Sequence, residues 1–339
     1  MYTNQDKKYD IICFAPLMVD IIRKEINVPL DSTGDFIGPF PGGDSVIMID
    51  AATRLGAKTA FYGVVGDDDF GKCVTERLAN DGVDVSGIRK VSDMATGVGF
   101  VTYFEDGSRK FIFTVPDSAA GMLNIDDVDE EAVNNTKWLH ISGFSLCVSK
   151  SMREAIMHIL DIAPPDLKIC FDPNLRPEVF GDPEIKVLCD KMIERCDVFF
   201  PSEGEAAFFS GKESDEQGCK YFAAKGTLVA SKRGKSGCVI YNGDARIVVP
   251  TIQVEEIDPT GAGDVFCGAF ITALIEGMEL AEAGRFANYA GALSVTKRGP
   301  MERIITRAEA EGYKFGYSEN NKCKGGASSS MRGKRPILS

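Results

Sequence analysis

The sequence predicts an α/β fold: a doubly wound, mainly parallel sheet with a small antiparallel β flap. Three observations carry this. Strand-length apolar runs alternate with helix-period stretches along most of the chain. Those runs are almost continuously apolar, as in strands covered on both faces. Two further stretches instead alternate apolar and polar residues, as one-sided antiparallel strands do. With 339 residues, 44% of them hydrophobic, the chain can bury a core without disulfides or metal.

In chain order, the first strand is expected at 10–15. Residues 20–40 then form a strand-and-turn segment with turn signals at Asn27-Val28-Pro29 and Asp31-Ser32-Thr33-Gly34. A strand at 60–65 leads into a helix at 70–80. Residues 96–115 alternate around Glu105-Asp106-Gly107 and read as a hairpin. Strands follow at 138–142, 169–172, 198–200, 228–231 and 238–241, with helices at 151–162 and 185–195 between them. The segments 20–40 and 96–115 together make the flap, poised to act as a lid. Residues 1–317 are expected to form one domain. The stretch 318–339 sets five basic residues against Glu319 and contains Gly325-Gly326-Ala327-Ser328-Ser329-Ser330, so a disordered basic tail is expected.

Composition excludes several function classes. No apolar run reaches the length of a membrane-spanning helix, and the polar start, Met1 to Lys8, does not read as a secretory leader. A net charge of −12 argues against nucleic acid or an anionic membrane as partner. The ten cysteines are scattered without a CxxC pair and read as reduced thiols of a cytoplasmic protein. His140 and His158 stand apart from any cysteine or carboxylate cluster, so a zinc site is not expected.

The strongest chemical signal is Asp258-Pro259-Thr260-Gly261-Ala262-Gly263-Asp264, followed by a long apolar helix that Gly277 stops. A glycine loop at a helix start offers N–H groups and the positive end of a dipole to phosphoryl oxygens. A Cβ would hold a phosphate away from that backbone. Asp264, in the first turn, is placed to accept a proton from a substrate hydroxyl.

That heptad resembles the second signature of the ribokinase-like, phosphofructokinase-B type carbohydrate kinases. The resemblance extends through Pro41-Gly42-Gly43 with the helix ending Arg54-Leu55-Gly56, and through Gly66-Asp67-Asp68-Asp69-Phe70-Gly71. It continues in Phe171-Asp172-Pro173-Asn174-Leu175-Arg176-Pro177, Pro201-Ser202-Glu203-Gly204-Glu205-Ala206 and Ser231-Lys232-Arg233-Gly234-Lys235-Ser236-Gly237, spanning about residues 9 to 312. It implies a ribokinase-like fold and transfer of the γ-phosphoryl group of ATP, with Mg²⁺, to a hydroxyl of a monosaccharide or sugar acid. It makes Asp264 the general base, with Gly261, Ala262 and Gly263 as the anion hole. Asp20, Gly42 and Gly43 fall on the sugar side, where Asp44, Asn174 and Arg176 join them as substrate-binding candidates. Lys232, Gly234, Gly237 and Asn288 fall on the nucleotide side. Glu205 matches the acidic residue that organises Mg²⁺ through water, and Asp258 with Thr260 matches a monovalent-cation (K⁺) site. A homodimer formed through the β lid is also implied.

The sequence departs from the family at two positions. Ile47 stands where an Asn usually binds sugar, and Ser202 replaces the Asn ahead of Glu205. The transfer half is retained, while the substrate stays open among 2-keto-3-deoxygluconate-like acids, fructose-like ketoses and inositols. A nucleoside kinase would need an aromatic slot from Phe104, Phe111 or Phe113. A non-catalytic ligand sensor is the remaining alternative.

Overall fold

The computed structural model describes residues 7–106, 108–175 and 181–314; Arg176 and the 318–339 tail lie outside them. The chain begins β1 (Tyr9–Phe14), β2 (Met18–Arg23), β3 (Phe36–Gly42), α1 (Asp44–Arg54), β4 (Thr59–Gly66), α2 (Asp69–Asp81) and β5 (Ile88–Val91). It continues through β6 (Gly97–Tyr103), β7 (Arg109–Phe113), α3 (Glu130–Asn134), β8 (Thr136–Ser142), α4 (Gly143–Val148), α5 (Lys150–Ile162), β9 (Lys168–Asp172) and α6 (Pro183–Arg195). The last part is β10 (Val198–Phe199), α7 (Glu205–Ser210), α8 (Asp215–Ala224), β11 (Leu228–Lys232), β12 (Cys238–Asn242), β13 (Ala245–Val249), α9 (Ala262–Ile275), α10 (Leu280–Ser294) and α11 (Arg307–Ala310).

Nine strands form the main sheet in the order β13-β12-β11-β10-β9-β8-β1-β4-β5. It is parallel from β11 to β5, and β12 and β13 add an antiparallel edge. Burial on both faces accounts for the continuous apolar runs. Along β1, Ile11 and Cys13 pack toward α1, α9 and α10, while Ile12 and Phe14 pack toward α4, α5 and α6. The strand order reverses around β1 and β8, so the carboxyl ends there flank the crevice where open α/β sheets bind ligands.

The flap is a second sheet, β3-β2-β6-β7. Its outer pairs are antiparallel as expected, but the central pair β2–β6 runs parallel. The two hairpins therefore lie side by side in register, from Met18 against Gly97 to Ile22 against Val101. Asp68 roots the second hairpin. It caps α2 by accepting from the Gly71 amide and also accepts from the Thr96 amide at 2.8 Å. Among the described residues, no helix is long and apolar enough to cross a membrane.

Candidate active site

Gly261 precedes α9 at φ 83°, a left-handed conformation that glycine adopts without strain. A Cβ there would also crowd the Pro300 carbonyl at 3.1 Å. No side chain caps α9, and its first-turn amides have no acceptor within the helix. Ala262, Gly263 and Asp264 follow in that turn, all half-buried. The predicted anion hole and base are thus contiguous on one helix start.

Lys232, at the end of β11, reaches over the two-residue strand β10 to ion-pair with Asp172 at the end of β9. Its Nζ lies 3.5 Å from where a Cβ on Gly263 would stand, so the ammonium adjoins the glycine loop. Burial works against this charge, but Asp172 first, then Cys267 and Glu205, outweigh it and hold the ammonium above lysine's usual range. Cys267, one turn after Asp264, donates to Asp172 at 3.4 Å, and burial pushes its thiol well up.

Glu205 accepts from the amides of Leu175 at 2.9 Å and Ser202 at 2.7 Å, clasping the β9 and β10 loops together. Burial, then the Asp172 charge, pushes its carboxyl up, and Lys232 opposes the shift. Ser202 contributes only its amide to this clasp, so the missing Asn leaves it intact.

Asp44 begins α1 and accepts from the Asn174 side-chain amide at 2.5 Å, from Ser142 and from the Ser45 backbone amide at 2.6 Å. Asn174 itself takes φ 40°, held by Asp44 and by its own backbone amide bonding to Asp172 at 3.1 Å. His140 is buried, and burial lowers its pKa despite Asp44 and Asp172. On the flap side, the buried Asp20 carboxylate fills the space between two strands. A Cβ on Gly42 would fall 2.6 Å from its Oδ2, and one on Gly99 2.7 Å from its Oδ1. Gly43 opens α1 at φ 102°.

On the expected nucleotide side, Gly234 (φ 47°) and Gly237 (φ 86°) shape the turn between β11 and β12, where a Gly237 Cβ would meet the Val249 carbonyl at 2.2 Å. Asn288, on α10, donates to the carbonyls of Val249 at 2.9 Å and Pro250 at 3.2 Å. It anchors the strand that borders this side. Phe111 and Phe113 stack on each other, with centroids 5.2 Å apart.

Asp258 and Thr260 meet the flap. The Tyr103 hydroxyl, at the end of β6, donates to Asp258 Oδ1 at 2.9 Å and lies 2.6 Å from Thr260 Oγ1. Arg109, at the start of β7, donates to Thr260 Oγ1 at 3.3 Å. Burial, then the Asp258 charge, raises the Tyr103 pKa, so the phenol stays protonated.

Sequence reasoning assigned no role to Asp172, Tyr103, Arg109 or Gly99. Asp172 carried a readable signal, a carboxylate closing an apolar run; Tyr103 and Arg109 carried none beyond flanking a hairpin turn.

A model of the pfkB family carbohydrate kinases matches residues 8–307. A probable fructokinase-2 from Arabidopsis thaliana is 30% identical over 319 residues, covering 91% of this chain and 96% of that protein. A putative ribokinase II from E. coli, solved with ATP and Mg²⁺, superposes with a TM-score of 0.84 at 37% identity, over 90% of this chain and 99% of that one. A double-mutant fructokinase from Vibrio cholerae O395, solved with fructose, ADP and potassium, gives 0.77 at 27% identity, over 91% and 99%. With a glycine-lined helix start at the sheet's carboxyl edge and relatives of this kind, the chain belongs to the pfkB family of carbohydrate kinases and is an ATP-dependent sugar kinase.

Proposed function

We propose that this kinase phosphorylates a fructose-like ketose, with Asp264 as general base and the amides of Gly261, Ala262 and Gly263 as the hole for the migrating phosphoryl group. The observation carrying this reading is the uncapped start of α9, with Asp264 in its first turn and the Lys232 ammonium beside Gly263. The carboxylate takes the hydroxyl proton as the oxygen attacks the γ-phosphorus of ATP and the bond to the departing ADP oxygen breaks. The helix start and Lys232 stabilise charge on the transferring oxygens. Asp20 is proposed to hold sugar hydroxyls, a carboxylate being able to accept from two. The ketose assignment rests on the fructokinase relatives. Arg176, which would favour a sugar acid, lies outside the described residues.

Mg²⁺ bound to the triphosphate supplies charge neutralisation on the β and γ oxygens. Among the described residues no group of three ligands gathers that would hold the ion unaided. This suits an ion that keeps its waters and comes with phosphate. Glu205 spends each oxygen on one amide and keeps lone pairs for such a water. The flap's outer surface exposes Phe36 and Ile112, which supports a homodimer formed through the lid. Among the described residues, nine free cysteines, seven of them buried, support a reducing, cytoplasmic setting.

The test is Asp264→Asn assayed against a panel of ketoses, sugar acids and inositols by ADP release. Turnover is expected to fall about 10³-fold with ATP affinity unchanged. A variant near the wild-type rate refutes the base assignment.

A further inference from the structure

The loop that leads into the anion hole is fastened by groups that leave little for a monovalent cation to bind. Such an ion needs several oxygen lone pairs converging on one point, without competing donors. Asp258 Oδ1 already accepts from the Thr260 amide at 3.0 Å and from Tyr103 at 2.9 Å. Its Oδ2 accepts from the Gly299 amide at 2.9 Å. Thr260 Oγ1 has Tyr103 at 2.6 Å and the Arg109 guanidinium at 3.3 Å. The adjoining Val295 carbonyl accepts from the amides of both Ile257 and Asp258, at 2.8 and 3.0 Å. Asp258 is 2% exposed. A bare cation would share one carboxylate with three N–H or O–H donors, beside a guanidinium that repels it. The residues present do not fit the monovalent-cation site that the family resemblance implies.

We infer that the lid fills the place of the cation. Tyr103 and Arg109 hold the Asp258–Thr260 loop, and catalysis proceeds without a monovalent ion. The inference rests on the kinase reading above. Both residues are then positioning residues. They act through Asp258 and Thr260 on the glycines that follow, so seating the lid and ordering the anion hole become one event. A phenol suits this position because its one O–H donates to the carboxylate while its oxygen accepts from the threonine hydroxyl.

The experiment exchanges the full-length enzyme into tetramethylammonium chloride and titrates KCl at constant ionic strength. Melting temperature and calorimetric ATP·Mg²⁺ affinity are followed together with fructose turnover. Less than about 2 °C of potassium-specific stabilisation, with turnover changing less than about twofold, is expected. A larger response in either overturns the inference. Tyr103→Phe, which frees a lone pair on Asp258, is expected to lower kcat, to leave ATP affinity unchanged and to make kcat rise with potassium. A purely structural tyrosine would lower stability equally in both salts. A Tyr103→Phe enzyme with wild-type kcat and no potassium response overturns the positioning role, and Arg109→Met provides the same comparison should Tyr103→Phe not fold. If no sugar supports turnover in either salt, the kinase reading fails, while the melting and affinity data still judge the latch.

Discussion

The Asp172–Lys232 pair is the most heavily buried charge pair beside the proposed site, and its removal is quantitatively predictable. The two side chains are 4% and 12% exposed. Replacing either alone leaves the other charge buried without its partner, at a cost of about 3–5 kcal/mol. For a chain of this length that corresponds to a melting-temperature loss of about 4–7 °C. Asp172→Asn keeps an acceptor for the Asn174 amide, so its cost is the charge together with the oxygen that Lys232 and Cys267 share. The double variant Asp172→Asn/Lys232→Met removes both charges and is expected to cost less than the two single costs together, by about 2 kcal/mol. The pairing raises the Lys232 pKa, so its stabilisation is complete below the ordinary lysine value of 10.5 and is lost only as pH climbs through the raised folded value. Denaturant titrations near neutral pH therefore read the whole effect. Turnover provides a second axis: with Nζ beside Gly263, Lys232→Met is expected to lower kcat about 10²-fold. Single costs under about 1 kcal/mol, as for exposed pairs, together with simple additivity, would refute the reasoning.

Two further outcomes follow from the geometry. Gly42→Ala sets a Cβ 2.6 Å from Asp20 Oδ2 and must displace that carboxylate; the sugar KM is expected to rise about tenfold while ATP affinity holds, and an unchanged KM removes Asp20 from the sugar site. Asp50, buried in α1 and hydrogen-bonded by Arg54 at 3.0 Å, has its carboxyl pushed up to about 7, by burial first and then by Asp81. From pH ~4 to ~7 the folded state keeps a proton that the unfolded chain releases, so Asp50 costs the protein stability as pH rises, by up to ~1.4 kcal/mol per unit. Asp50→Asn is expected to flatten that slope, and identical pH profiles by chemical denaturation would show the assignment to be wrong.

The parts of the fold legible in the sequence are those whose burial is two-sided. Every residue of β4 is buried, and its run of apolar residues announced it. Ile88–Val91 and Ala245–Val249, edge strands with half-exposed or exposed residues, carry no such run and went unread. The parallel pairing of β2 with β6 was hidden because alternation reports which face is covered, not which distant strand lies alongside. The site divides in the same way. The glycines of the Asp258–Asp264 loop were readable because a positive φ and close backbone approach demand that residue type. The Asp172–Lys232 pair and the Tyr103 latch were not, since each joins residues from separate elements that only the three-dimensional arrangement brings together.

Ile47 gives that division its sharpest case. By resemblance, its position belongs to an asparagine that hydrogen-bonds sugar, so the sequence suggested only a loss. In the structure Ile47 is 4% exposed, and its Cδ1 and Cγ2 each lie 3.2 Å from where a Cβ on Gly261 would stand. The side chain is packed against the glycine that opens the proposed anion hole. Dispersion contacts of this kind favour one fixed arrangement of the loop. The polar group at the same end of α1 is Asp44, three residues earlier. Asp44 holds Asn174, at φ 40°, by accepting one of its two side-chain amide N–H groups, which leaves the second N–H and the amide oxygen. A side chain with both left can accept from a hydroxyl and donate to one. The exchange of Asn for Ile at residue 47 therefore sets an apolar side chain against the proposed anion hole, and the proposed hydroxyl contacts at this end of α1 fall to Asp20 and Asn174.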